Sequence, residues 1–314
     1  MNKLLTAALG RRSIEVSCAW ALAELPGAVQ LLKLAETPAQ DAFLAFVKTL
    51  RSSDPRLPTR CAGWTVHELT AHLTAGSAEI ADLVELEISG APPRPTRDFE
   101  EREAPYRALA PKKLRRELFR QALRASIAIE RLSRAGRGRR VTFTGALLDA
   151  PALVLHSESE LVLHRWDIVG NDGVSVRALS DPRFAAHAAT TVAAMRPNVF
   201  PPRAGERKTI ILRSPGTTDI AVTGGSITTI RPAPQDAAHP IVECHPATRT
   251  VLLWGRHPGP GLPEPAGDSE ALAAVTAMLR PDPARRTRSW GPTISGGQRP
   301  PGLPGDAGHR VRQV

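Results

Sequence analysis

Glu160 and His164 stand four residues apart, a spacing that puts two side chains on one face of a helix. His72 lies in a second stretch with helical apolar spacing. A carboxylate and two imidazoles drawn from two helices of one bundle make a divalent metal site with coordination positions left open. Spacing alone leaves a second interpretation standing. Glu160 and His164 can be a surface pair contributing about 0.3 kcal/mol, with His72 a satisfied core histidine. His156, four residues before Glu160, lines the same face and is a rival or fourth ligand. His67 falls about 140° round the helix from His72, and His239, His245 and His257 lie outside the helical region, so none is expected at a metal.

The elements that must position these residues are legible in the chain. Thr37-Pro38 with Gln40 reads as a capping box opening a helix through about Arg51, and Thr65 with Glu68 repeats the signal for a helix ending near Gly90, with Trp64 stapled against Leu69. A Pro-rich connection (Pro92, Pro93, Pro95) leads to a third helix from about Pro111 to Ala135, with Leu114, Leu118, Leu123, Ile127 and Leu132 as its apolar positions. The fourth runs from about Pro151, after Asp149, to Val169, with Gly170 closing it. Beyond it the pattern changes. Ser180 to Ala194 predicts one more helix; 208–213, 218–223 and 226–231 are short and β-branched, with Gly224-Gly225 as a hairpin turn; 241–244 is a fourth strand; Ala247 to Arg256 and Ser269 to Leu279 close the series as helices. The fold class is therefore α+β: a four-helix bundle at 36–172, then a smaller α+β domain at 178–280. Residues 1–35 form an N-terminal extension of uncertain order, and 281–314, with 6 Pro and 6 Gly, is a disordered tail.

The chain of 314 residues carries a formal charge of +10. A pI near 10.4 raises nucleic acid as a partner. The excess is local, however: residues 94–140 hold 15 Lys+Arg against 6 Asp+Glu, and the tail 6 against 2. The Arg-rich third helix has the spacing of a solvated face, and Phe119 is the sole aromatic between 107 and 140, so the base-stacking residues of a single-strand binder are missing. Three cysteines (Cys18, Cys61, Cys244) without a CxxC exclude a disulfide framework and structural zinc on thiolates, and point to a reducing compartment. No stretch has the ~18 uninterrupted apolar residues of a membrane span, and the N-terminal apolar stretch runs into Arg11 and Arg12, so a cytoplasmic protein is expected.

Two segments carry a family resemblance. LPTRCAGWTVHELTAHL (57–73) and ESELVLHRWDIVGND (158–172) resemble the two bundle signatures of the mycothiol-dependent maleylpyruvate isomerase family, a branch of the DinB-like metal-binding bundles. LLWGRHP (252–258) and AGDSEAL (266–272) resemble segments of the C-terminal domain that often accompanies it. The resemblance implies a DinB-like bundle, metal ligands at His72, Glu160 and His164, and Zn²⁺ as the usual ion, although such a nitrogen and oxygen site holds other divalent metals too. It also implies mycothiol as the thiol cosubstrate acting on an electrophilic substrate. An open metal position can equally hold water, giving a Lewis-acid hydrolase.

Around these ligands further roles stay open. Arg256 is the candidate catalytic residue, able to grip an anionic substrate bidentately, or else a capping arginine near a helix end. Asp167 can orient a ligand histidine or pair with an arginine. Cys61 is either a reactive thiol or a small buried turn residue, and Trp166 packs away from the ligand face. The leading expectation is a metal-dependent, thiol-using transferase or isomerase; the alternative is a non-enzymatic metal- or ligand-binding regulatory protein of the same fold.

Overall fold

The computed structural model describes residues 38–136, 138–195, 208–223, 226–230, 239–259 and 261–279. The extension 1–35, the tail 281–314, the Thr37 cap and the Gly224-Gly225 turn lie outside these described residues.

The N-terminal half is helical: α1 (Pro38–Ser52), α2 (Val66–Ser89), the short α3 (Phe99–Arg107) and α4 (Pro111–Arg134), then a hairpin of β1 (Val141–Phe143) and β2 (Ala146–Leu148), then α5 (Ala150–Val169). The capping signals are seen in the structure. The Thr65 side chain accepts from the Glu68 N–H while the Glu68 carboxylate accepts from the Thr65 N–H, and Gly90 ends α2 at φ 72°, a left-handed conformation that favours glycine. Asp149 caps α5 by accepting from the Ala152 N–H.

Helix α4 differs from its expected stripe. Ile127 is 49% exposed, while Ala122, Ala125, Ala128 and Ile129 are buried with Leu114, Leu118 and Leu132. Small residues let α4 lie close against α2, and the bulkier Ile127 rides on the outer side of that seam. Several arginines of its outer face are paired within the molecule, Arg124 with Asp82 at 2.7 Å, Arg131 with Glu85 at 2.6 Å, and Arg120 with Glu117. Exposed pairs of this kind contribute little stability, but they account for much of the local positive charge.

Two elements stand where the sequence pattern shows only connections. Helix α3 is capped by Asp98, whose carboxylate accepts from the Glu101 N–H. The chain entering it is fixed to α2 by the fully buried Glu79, which accepts from the Arg97 backbone N–H at 2.9 Å and pairs with the Arg94 and Arg97 side chains. The β1–β2 hairpin turns through Thr144 and Gly145, both with positive φ.

After α5 come α6 (Gly173–Leu179), a third unanticipated element, and α7 (Pro182–Met195). A five-stranded sheet follows, built from β3 (Thr209–Arg213), β4 (Asp219–Thr223), β5 (Ser226–Ile230), β6 (Ile241–Glu243) and β7 (Ala266–Gly267). Its order is β5-β4-β3-β6-β7, antiparallel except for the parallel β3–β6 pair. Helices α8 (Pro246–Leu253) and α9 (Ser269–Leu279) complete the chain described.

One apolar core joins the two halves. Val162, Leu163 and Trp166 of α5 pack in the same buried cluster as Phe184, Ile210, Leu212, Ile220 and Val251. Helix α5 is therefore shared, one face in the bundle and one against the sheet region. That sharing brings the segment following α8 to the end of the bundle where α5 carries its histidine. No described helix is long and apolar enough to cross a membrane.

Candidate metal centre

Helix α2 supplies His72 and α5 supplies Glu160 and His164, and the structure brings the three together. Nε2 of His72 lies 3.5 Å from Glu160 Oε2, and Nε2 of His164 lies 3.3 Å from the same oxygen. One donor atom from each of the three residues falls within 4.8 Å of the others. Donors bonded tetrahedrally at ~2.1 Å to one ion stand about 3.4 Å from each other, so the spacing suits a shared divalent cation.

The far side of each imidazole strengthens the fit. Nδ1 of His72 is 2.8 Å from Glu103 Oε1 on α3, and Nδ1 of His164 is 2.8 Å from Asp167 Oδ2 one turn along α5. A neutral ring whose Nδ1 faces a carboxylate carries its proton there, leaving the Nε2 lone pair for a metal. His72 is further held between aromatic walls, with Trp64 at 4.9 Å and Phe99 at 5.6 Å between ring centroids.

The carboxylates are themselves anchored. Arg256, beyond α8, contacts both Asp167 oxygens, Nε at 2.9 Å from Oδ1 and Nη2 at 2.9 Å from Oδ2. Glu103 also receives Arg107 at 2.9 Å. Burial pushes Asp167 up, but Arg256 and His164 outweigh it and hold the carboxyl below its ordinary range. Burial likewise pushes His164 down, and Asp167, Cys61 and Glu160 together hold it well above. Glu160, penalised by burial, is kept well below the usual carboxylate range by the two imidazoles facing it.

Other candidates fall into place around this centre. Cys61 Sγ sits 3.1 Å from Asp167 Oδ2 and 3.4 Å from Arg256 Nη2, so it belongs to the network at the centre rather than to the turn alone. Asp167 has both roles left open for it, contacting the ligand histidine and pairing with an arginine. Trp166 is fully buried in the joint core, its indole N–H donating to Asn171. His156 turns away from the cluster: its Nδ1 is 3.2 Å from His187 Nε2, and its ring meets Phe143 edge-on. His67 contacts the Arg107 carbonyl instead, at 2.9 Å.

Glu103 is the residue the sequence pattern misses altogether. It sits 31 positions from His72 on a helix hidden behind a Pro-rich run, and the available signal was Asp98 three residues before Glu101, a helix-start pattern. Trp64 meets His72 rather than serving only as a helix staple.

The centre opens on a cavity of about 750 Å³, whose lining includes His72, Glu160, His164, Cys61, Arg256 and His257. Three protein donors leave positions that a ligand entering this cavity can reach.

Comparison with known proteins agrees with the two bundle motifs. Residues 37–169 match the family model described as the mycothiol maleylpyruvate isomerase N-terminal domain. No curated protein matches the chain. Among solved structures, the crystal structure of the mycothiol-dependent maleylpyruvate isomerase aligns with 18% identity over 72% of this chain and 93% of that one, at a TM-score of 0.48. A mutant of that enzyme aligns with 17% identity, the same coverage and the same TM-score.

Proposed function

We propose that this chain, whose residues 37–169 carry a mycothiol maleylpyruvate isomerase N-terminal domain, is a divalent-metal-dependent enzyme that uses a small-molecule thiol, mycothiol by its family, to transfer to or isomerise an electrophile. The observation that carries this is the pairing of two Nε2 atoms around Glu160 while both Nδ1 atoms are held by carboxylates. His72, Glu160 and His164 would hold the metal, and zinc suits a set of two imidazoles and one carboxylate. A divalent ion bound there lowers the pKa of a coordinated thiol or water and so supplies a nucleophile at neutral pH.

The chain's own groups prepare that position. Asp167 and Glu103 fix the tautomer of the two histidines, and Arg256 keeps Asp167 ionised and immobile. Arg256 is then a positioning residue, because its Nε and Nη2 are committed to Asp167. Trp64 and Phe99 wall His72 against water on two sides. We place the protein in the cytoplasm, where its three scattered cysteines stay reduced.

The test is metal analysis of the purified chain together with mycothiol-dependent turnover of an electrophile panel. About one zinc per chain and thiol-dependent turnover are expected. Saturation with metal and no turnover across the panel would convert the assignment to a non-enzymatic binding protein.

A further inference from the structure

The cavity at the proposed metal centre runs on into the bundle. The bundle interior holds two apolar clusters, one with Leu73, Leu118 and Leu161, the other with Ile80, Ile129 and Phe143. All six of these side chains line the cavity of about 750 Å³, so the space continues from one cluster along the other. Leu73 and Leu161 follow His72 and Glu160 directly in sequence, which marks the first cluster as the metal end. The second lies about 10 Å further along α2, the distance from Leu73 to Ile80 at about 1.5 Å per residue. Protein interiors are close-packed and voids wider than a water are few, so an apolar space of this size has the dimensions of a built ligand site.

Gly76 holds the space open between the two clusters. It lies within α2 between Leu73 and Ile80, lines the cavity and has ordinary helical backbone. Glycine inside a helix lowers stability relative to alanine, and no turn requires it here. A Cβ added at Gly76 would meet nothing within 4 Å beyond its own helix. At this level α4 contributes only the methyl groups of Ala122 and Ala125, both buried. Two hydroxyls of the lining are turned back onto their own helices: Ser77 donates to the Leu73 carbonyl at 2.9 Å and Ser157 to the Leu153 carbonyl at 3.0 Å. Arg102 of α3 is also in the lining, but its guanidinium carbon lies 4.4 Å from the Phe99 ring centroid and 5.7 Å from that of Phe143, so aromatic rings take the face of its plane. Polarity is therefore graded along the cavity, from Cys61, Arg256 and the proposed ligands at one end to hydrocarbon at the other.

We propose that this inner space is the subsite for an apolar arm of the substrate: the electrophile carries an extended hydrocarbon chain of roughly 10 Å, held with its reactive end toward His72, Glu160 and His164. Naming the occupant a substrate rests on the enzyme reading above; that the space takes hydrocarbon rests on its lining alone. The arm is gripped by removal of its surface from water, so each methylene adds to the affinity until the space is used up. A polar thiol cosubstrate is left the outer end, where Cys61, Arg256 and His257 form the wall.

The probes are neutral, unreactive primary alcohols from 1-butanol to 1-decanol, titrated calorimetrically into the full-length chain in zinc-loaded and metal-free forms. Affinity is expected to rise about fourfold per added methylene in both forms, and to level off near 1-octanol, whose extended chain spans the ~10 Å arm. Gly76→Leu, which projects a side chain into the space, is expected to move that break to a shorter alcohol and to weaken 1-octanol by about tenfold or more. Its Tm is expected to rise, since a glycine leaves the helix and the void is filled. Gly76→Ala, which adds a single methyl to open space, is expected to do both to a smaller degree. An affinity that does not depend on chain length, that climbs through 1-decanol with no break, or that follows the same series in folded Gly76→Leu overturns the proposal. A chain that binds no zinc but shows the series and its break overturns the metal assignment and leaves this subsite standing; zinc and thiol-dependent turnover without the series do the reverse.

Discussion

Nδ1 of His164 and Oδ2 of Asp167 lie 2.8 Å apart, and the carboxylate that makes this contact is gripped from its other side by Arg256, 89 residues further along the chain. The proposed metal ligand is thus fixed by a residue one turn away, which is fixed in turn from the sheet region. Asp167 is fully buried, so its charge depends on both partners.

Removing one partner of a buried pair strands the other. Arg256→Met is expected to destabilise the protein by about 3–5 kcal/mol, read as a shift in urea midpoint. Adding Asp167→Asn to that variant should recover part of the loss, since the stranded charge is then gone. Asp167→Asn alone is expected to weaken zinc binding about 10- to 100-fold, the usual effect of losing the group that orients a ligand histidine. Unchanged zinc affinity in a competition titration would show that Asp167 does not orient His164.

The proposed ligands and their rival separate by stoichiometry. Elemental analysis is expected to find zinc falling from about one per chain to a small residue in His72→Ala and in Glu160→Gln. His156→Ala should retain its zinc, because His156 contacts His187 and Phe143 rather than the cluster. Zinc retained in both ligand variants would move the site elsewhere.

Glu79 tests whether the entry to α3 matters to the centre. It is fully buried, and it secures both Arg94 and Arg97. Glu79→Ala removes the buried acceptor of two arginines, leaving them only the partly exposed Asp82, and is expected to cost about 3 kcal/mol. It should also open the 91–98 segment to limited proteolysis. Zinc affinity should fall as well, because α3 carries Glu103 behind His72. Glu79→Gln, which keeps some of the acceptors, should be milder on all three measures.

The buried histidine pair sets a pH dependence. Burial and the neighbouring His156 push His187 down to about 3, and burial pushes His156 down as well. An unfolded histidine takes up its proton near ~6.5. Between that value and the folded one, the unfolded state holds more protons, so stability is full above ~6.5 and falls as the pH drops. The slope approaches ~1.4 kcal/mol per pH unit for each such histidine. Urea midpoints measured from pH 7 to 5 should fall in wild type and flatten in His187→Gln. An equal slope in both would show that the pair is not buried in its neutral form.

Much of the candidate site is legible in local sequence signals. The Thr65–Glu68 box fixes where α2 starts and therefore which face His72 occupies, and Asp149 with Gly170 bounds α5 around Glu160 and His164. These are local signals, carried by residues three or four apart whose hydrogen bonds close within one helical turn. The same logic failed at α3 and at the β1–β2 hairpin. Pro92, Pro93 and Pro95 mask the approach to the first, and three-residue strands around a strained Thr144 turn give the second almost no alternation to read.

Local sequence signals place α2, α4 and α5, the i, i+4 pair on α5 and the segments that carry the positive charge. Packing between distant elements sets Glu103 behind His72, Arg256 on Asp167 and His156 on His187. The physical reason is separation along the chain. Contacts between residues 31 to 89 positions apart depend on how whole elements pack, and packing follows from apolar surfaces that many sequences share, leaving no periodicity to mark which polar partners will meet.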